Sequence, residues 1–198
     1  MLMKTEPIGL ALESVGVFHK PRENPHCRVI YLSPSGRLFN QETAKELSCE
    51  KELVLICGRY EGIDQRIIDL YADDEISIGD YVLSSGETAC LAVIDATYRL
   101  VEKVITAESL EEESFSNGLL EYPQYTRPET YGTIKVPEIL LSGHHENIRK
   151  WRLKKSVEKT LMRRPDLIKK GMETGLFDNE TRKIIQDLRS ENERNTGY

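Results

Sequence analysis

Between Arg28 and Glu87 the apolar residues arrive in short unbroken runs. Val29-Ile30-Tyr31-Leu32 is stopped by Pro34, and Leu53-Val54-Leu55-Ile56-Cys57 is stopped by Gly58. A short continuous run closed by Pro or Gly is the pattern of a strand covered on both faces, so both are read as buried parallel strands. Between them, Asn40 followed by Gln41 and Glu42 offers an N-cap and an acidic first turn for a helix over 43–47. Strand, helix and strand make a βαβ unit. A second cycle places a short amphipathic helix over 63–71 and a third strand over 75–78, closed by Gly79. Residues 88–105 then carry Leu91, Ile94, Tyr98, Val101 and Ile105 on one helical face. The first half is therefore expected to be α/β.

After Ile105 the pattern changes. Residues 106–118 are rich in Glu and Ser with scattered apolar positions, which reads as a mobile linker. Pro123, Pro128 and Pro137 punctuate an irregular segment beyond it. Helical spacing returns over 146–162, where Ile148, Trp151, Val157 and Leu161 lie near one side and leave the basic residues to solvent, and again over 179–190. The expected organisation is an α/β domain over 1–105, a flexible linker over 106–119 and a small helical domain over 120–198.

Composition narrows the class. A chain of 198 residues can bury a real core without a disulfide or metal staple. Cys27, Cys49, Cys57 and Cys90 form no C-x-x-C pair, and His19, His26, His144 and His145 fall at no ligand spacing, so neither disulfides nor structural zinc is expected. No apolar run is long enough to cross a bilayer, and the opening MLMKTEPIG has no sustained apolar stretch, so neither membrane insertion nor secretion is expected. The cytoplasm is the default. Charge is uneven: 149–170 holds ten basic residues against Glu158 and Asp166, a local +8 within a chain of net charge -6. Such a block suits phosphate contacts with a nucleic acid, and equally a solvated helix face.

Three loops follow the three strands: Ser33-Pro34-Ser35-Gly36, Gly58-Arg59-Tyr60-Glu61-Gly62, and 79–86. In a parallel sheet they lie at the carboxyl ends, where ligands enter α/β folds. They fit neither the G-x-G-x-x-G fingerprint nor a Walker loop, which argues against NAD and ATP. Each alone could simply turn the chain; together, with Tyr and Leu nearby, they suit a nucleoside-sized pocket.

The segments YLSPSGR (31–37), CGRYEGID (57–64), SIGDYVLSSGE (77–87), LLEYPQYTRP (119–128) and LLSGHHENIRKWR (140–152) resemble, in order, the bacterial tRNA (guanine-N1)-methyltransferases of the SPOUT superfamily. The resemblance implies a deep trefoil knot around a parallel sheet, built from the second and third loops and binding S-adenosylmethionine. It also implies a homodimer with composite active sites, a helical domain that grips tRNA and not DNA, and methylation of the guanine immediately 3′ of the anticodon. The cofactor wall it implies comprises Tyr31, Leu32, Ser33 and Pro34, then Gly58, Tyr60, Glu61 and Gly62, then Ser77, Ile78, Gly79, Asp80, Tyr81, Val82, Leu83 and Gly86. Glu61 is the acidic group near the methionyl amine or a magnesium ion; by itself it also reads as a carboxylate at a helix N-terminus.

Guanine N1 holds its proton at neutral pH, so a base must remove it, and the charge left on O6 calls for a cation. By resemblance Arg99 is that cation, although alone it reads as a surface helix arginine. The base is an aspartate in a D-S-F triplet of the family; here the triplet is Glu113-Ser114-Phe115, one methylene longer. Glu121 likewise stands where an aspartate is frequent. By the same resemblance Arg149, Lys150, Arg152, Lys154, Lys155, Arg163 and Arg164 are the tRNA phosphate clamp. Ser85 replaces the first glycine of a G-G-E motif, which predicts a cost in cofactor affinity if the position needs positive φ or a close approach to the cofactor. The family pattern also begins with a strand, a helix and a glycine-rich loop ahead of the point where this sequence starts, so apolar surface is expected to be exposed where that strand would lie. Two rival readings are a non-catalytic RNA-binding module using the helical half alone, and a SPOUT enzyme acting on ribosomal RNA.

Overall fold

The computed structural model describes residues 1–21, 27–105 and 113–195, in two compact units, Met1–Ile105 and Thr106–Tyr198. The first runs α1 (Thr5–Ser14), β1 (Cys27–Leu38), α2 (Gln41–Ser48), β2 (Glu52–Cys57), α3 (Gln65–Tyr71), β3 (Asp74–Ser77) and α4 (Gly86–Tyr98). Its three strands form a parallel sheet in the order β2-β1-β3, as the paired apolar runs lead one to expect.

The central position of β1 explains why its apolar run does not alternate. Val29 and Tyr31 pack with Ile8, Leu12, Ile63, Ile67 and Tyr71 of the α1 and α3 side. Ile30 and Leu32 pack with Leu47, Ala89 and Val93 of the α2 and α4 side. Both pleats of one strand are thus buried, which only a sheet layered between helices requires.

Pro34 does not end β1. Ile30 to Leu32 pair with Asp74 to Ile76, the chain bulges out, and Arg37 and Leu38 rejoin β3 opposite Ile76 and Ser77. Arg37 locks that return: its guanidinium lies 2.7 Å from Asp74, which also receives Arg28 at 3.0 Å, while Glu46 on α2 bridges both arginines. The helix expected over 63–71 starts two residues late, because Ile63 bridges Met3 and Asp64 caps α3 by accepting from the Arg66 amide at 3.0 Å.

Helix α4 departs most from its sequence pattern. It ends at Tyr98, and its buried positions are Ala89, Val93 and Thr97. Leu91, Ile94 and Tyr98, expected on one face, are 68%, 48% and 60% exposed. Small residues let the helix lie close against α2 and β2, so the bulky stripe is turned outward.

The second unit holds a two-stranded hairpin, β4 (Thr130–Tyr131) with β5 (Ile134–Lys135), then α5 (Glu138–Leu141), α6 (His145–Arg163), α7 (Pro165–Glu173) and α8 (Asn179–Asn195). Its core joins Leu119, Val157, Ile168, Phe177, Ile185 and Leu188. Among the described residues three helices escaped the sequence pattern, the four-residue α5 and the longer α1 and α7. In α1, Pro7 lies in the first turn, where a proline is tolerated, and Gly9 lets the helix approach the Tyr71 hydroxyl. In α7, Pro165 at the first position and buried Ile168 were masked by the charge block. All four cysteines are free thiols. Among the described residues no helix is long and apolar enough to cross a membrane.

Candidate functional site

The bulge after Leu32, the turn after β2 and the loop after β3 converge on one cavity of about 740 Å³ at the carboxyl ends of the strands. Local chemistry shapes each loop. In the first, the Ser33 hydroxyl accepts from the Ser35 amide at 3.2 Å, and Gly36 passes so close to β3 that a Cβ would sit 2.4 Å from the Ile76 amide nitrogen. In the second, Tyr60 takes a left-handed φ of 61° and Gly62 one of 108°, and the Glu61 amide donates to the Met1 carbonyl at 3.0 Å. In the third, the Ser77 hydroxyl accepts from the Gly79 amide at 3.2 Å. A Cβ on Gly79 would sit 2.5 Å from the Tyr81 ring. Second and third loops are laced together, since the Gly86 amide donates to the Gly58 carbonyl at 2.9 Å and Arg59 bridges Ser85.

The wall of this cavity takes in Tyr31 to Pro34, Gly58, Tyr60 to Gly62, Ser77 to Gly79, Tyr81 to Leu83, and Gly86. Asp80, expected with them, is exposed and stays outside the wall. Tyr31 underlies the second loop, its hydroxyl close to both Gly58 and Gly62. Burial pushes its phenol above the ordinary value, a backbone hydrogen bond from Ile63 opposes this, and the Glu75 carboxylate adds to it. Ser85 has φ -161° and ψ 156°, extended backbone that any residue adopts, so the backbone there does not demand glycine and the cost expected from positive φ does not arise. Its hydroxyl instead holds the Glu87 carboxyl below the usual range.

A second cavity, of about 550 Å³, lies within the C-terminal unit. It brings Glu113 together with Glu121, and both with Arg149 and Arg152 of the basic block. Arg152 stacks over the Tyr122 ring at 4.8 Å. Lys150, Lys154, Lys155, Arg163 and Arg164 lie outside this wall. Arg99, in the N-terminal unit, is half-buried where α4 ends. Residues 106–112 of the expected linker lie outside the described residues; from Glu113 the chain makes a turn closed by the Phe115 amide donating to the Leu119 carbonyl at 2.8 Å.

The basic block is less bare than its sequence suggests. Arg149 pairs with Glu146 at 3.0 Å and with Glu180 of α8 at 2.9 Å, Lys155 with Glu158 at 2.6 Å, and Arg164 with Asp166 at 2.7 Å. Glu180 is distant in sequence, so no local charge count finds it. Nor do all the basic side chains point to solvent, since Arg152 and Lys155 are half-buried. Sequence reasoning also missed Ser156 and Thr160 and saw Lys159 only as one of the basic block; all three are polar residues of α6 that grip the segment after the Glu113 turn. Among the described residues no group of three or more His, Cys, Asp or Glu could hold a metal ion.

A model of the tRNA (Guanine-1)-methyltransferase TrmD family matches residues 1–170. A tRNA (guanine-N(1)-)-methyltransferase of Treponema denticola is 61% identical over 191 residues, 96% of this chain and 76% of the relative. The protein of the same name from Treponema pallidum is 54% identical over 95% of this chain and 72% of its own length. That of Borreliella burgdorferi is 59% identical over 87% and 70%.

Proposed function

Since the chain belongs to the tRNA (guanine-1)-methyltransferase family, we infer that it methylates N1 of guanine in tRNA, with S-adenosylmethionine as the methyl donor. The observation that carries the reading is the convergence of three strand-end loops on one cavity of about 740 Å³. The residues there fit the donor. Glycines at 58, 79 and 86 let the loops that line the cavity pack against Tyr31, the Tyr81 ring and the Cys57 backbone, where a Cβ would collide, and Leu32, Ile78, Val82 and Leu83 supply apolar wall for a nucleobase.

When bound, S-adenosylmethionine supplies an electrophilic methyl group on a sulfonium. This chain's own residues align, deprotonate and neutralise. We assign the removal of the N1 proton to the Glu113 carboxylate, and stabilisation of the charge left on O6 to the Arg99 guanidinium. Glu61, exposed at the same cavity, is assigned to the methionyl amine or a magnesium ion. Arg149, Lys150, Arg152, Lys154, Lys155, Arg163 and Arg164 are the phosphate contacts of this reading, and the guanine is the one 3′ of the anticodon.

The reading includes a knotted crossing of the second and third loops, supported by the Gly86 to Gly58 hydrogen bond and the bridge between Arg59 and Ser85. It includes a homodimer, supported by the bulky apolar stripe that α4 leaves exposed. It places the protein in the cytoplasm, where tRNA is.

Glu113→Gln tests the chemistry. Methyl transfer to a tRNA transcript with guanine 3′ of the anticodon should fall by roughly a hundredfold or more, while calorimetry finds S-adenosylmethionine affinity within about twofold of the parent. Retained turnover would move the base to Glu121, which lies in the same cavity. Absence of any cofactor binding by the parent chain, with salt-sensitive tRNA affinity, would leave only an RNA-binding module.

A further inference from the structure

Leu119, Leu120 and Glu121 form a short irregular strip that pairs with no strand among the described residues, yet each of its backbone polar groups is paired. On one side the partners belong to the turn that carries Glu113. Asn117 Oδ1 accepts from the Leu119 amide at 3.2 Å, the Leu119 carbonyl accepts from the Phe115 amide at 2.8 Å, and Ser114 Oγ accepts from the Glu121 amide at 3.0 Å. On the other side they belong to α6. Thr160 Oγ1 accepts from the Leu120 amide at 2.9 Å, Ser156 Oγ donates to the Leu120 carbonyl, and Lys159 Nζ donates to the Glu121 carbonyl at 2.8 Å.

This arrangement is not what helix packing alone would select. Ser156 and Thr160 are buried on the face of α6 where Val157 packs, and a buried hydroxyl is tolerated only when it is hydrogen-bonded. Thr160 meets that condition twice, donating to the Ser156 carbonyl at 2.7 Å while it accepts from Leu120. The turn is held against its own preference as well, because Phe115 sits at φ 76°, a left-handed conformation costly for an aromatic residue. The strip therefore ties the helix bearing Arg149 and Arg152 to the turn bearing Glu113 through directional bonds.

We propose that Ser114, Ser156 and Thr160 are positioning residues, which hold the Glu113 turn in one register against the helix that grips the substrate. The inference rests on Glu113 as the base. The residues need not touch the guanine: they act through the strip, and a small displacement of a reacting group costs a large factor in rate without a matching loss of affinity.

The test compares single-turnover methyl transfer by Thr160→Val, Thr160→Ser, Ser114→Ala and Glu113→Gln, with tRNA and S-adenosylmethionine saturating and both affinities measured separately. Thr160→Val and Ser114→Ala should each lower the rate about tenfold to a hundredfold, with both affinities within about twofold of the parent. Thr160→Ser, which keeps the hydroxyl, should restore most of the rate. Parental rates in Thr160→Val and Ser114→Ala beside an inactive Glu113→Gln would overturn the positioning role and leave the base in place. A parental rate in Glu113→Gln would remove both. Loss of tRNA affinity in step with rate, or no rescue by serine, would reduce these hydroxyls to holding the fold together and would also overturn the proposal.

Discussion

Gly36 lies against the backbone of β3 at a distance that leaves no room for a side chain. A Cβ there would meet the Glu75 carbonyl carbon and the Ile76 nitrogen, each at 2.4 Å. Neither neighbour is a movable side-chain tip, so relief requires β1 and β3 to separate where the cavity begins. Gly36→Ala is therefore expected to destabilise the protein by about 1–3 kcal/mol, the usual cost of overpacking, read from the midpoint of a urea unfolding curve; an unchanged midpoint would mean that the bulge can shift freely. The same scale separates Ser85 from Gly36. Both stand in strand-end loops, but Ser85 has ordinary extended backbone and lends its hydroxyl to Glu87. Sequence shows a small residue at each position and cannot tell which one is sterically required.

Among the elements, α2 was the most readable from the chain. Asn40 caps it as expected, with Oδ1 accepting from the Thr43 amide at 2.9 Å and from the Thr43 hydroxyl at 3.2 Å. Asn40→Ala should cost about 1 kcal/mol, seen as a lower unfolding midpoint, and Asn40→Asp should recover most of it. The strands were legible for a similar reason: covering β1 on both sides demands an unbroken apolar run, and the chain carries one. Helix α4 was not legible, because its periodicity marks a bulky stripe whereas the core selected the small one, Ala89, Val93 and Thr97. Helix α6 was half legible. Its apolar face was recognisable, but Ser156 and Thr160 are buried there to satisfy backbone groups forty and fewer positions away, a demand invisible to any local pattern.

For the molecule as a whole, electrostatics follows from ion pairs formed both within elements and between them. A hydrogen bond from the Arg149 guanidinium holds the Glu146 carboxyl down at about 2, against an ordinary 4.5, and Lys150 adds to the effect. Arg28 lowers Glu46 in the N-terminal unit, and Arg66 holds Asp64 down at about 2. Each folded-state value is depressed, so each carboxylate contributes stability above its unfolded value, and that contribution is lost as pH falls through the folded one. Thermal midpoints should accordingly fall between about pH 4.5 and about 2. The fall should be shallower in about 1 M salt, where these exposed pairs are screened; a midpoint that holds steady across the window would show that the pairs contribute nothing.

Strand order in the chain, the buried character of β1, the capped start of α2 and the five motifs of the family could all be read without coordinates, because each is encoded by neighbouring residues. Which stripe of α4 faces inward, that Glu180 sits on Arg149, and that Glu113 and Glu121 share a cavity required the folded molecule. Those facts depend on residues far apart in the chain being brought within a few ångströms. Close packing and pairing of buried polar groups act on distance in space, and distance along the sequence carries no record of it.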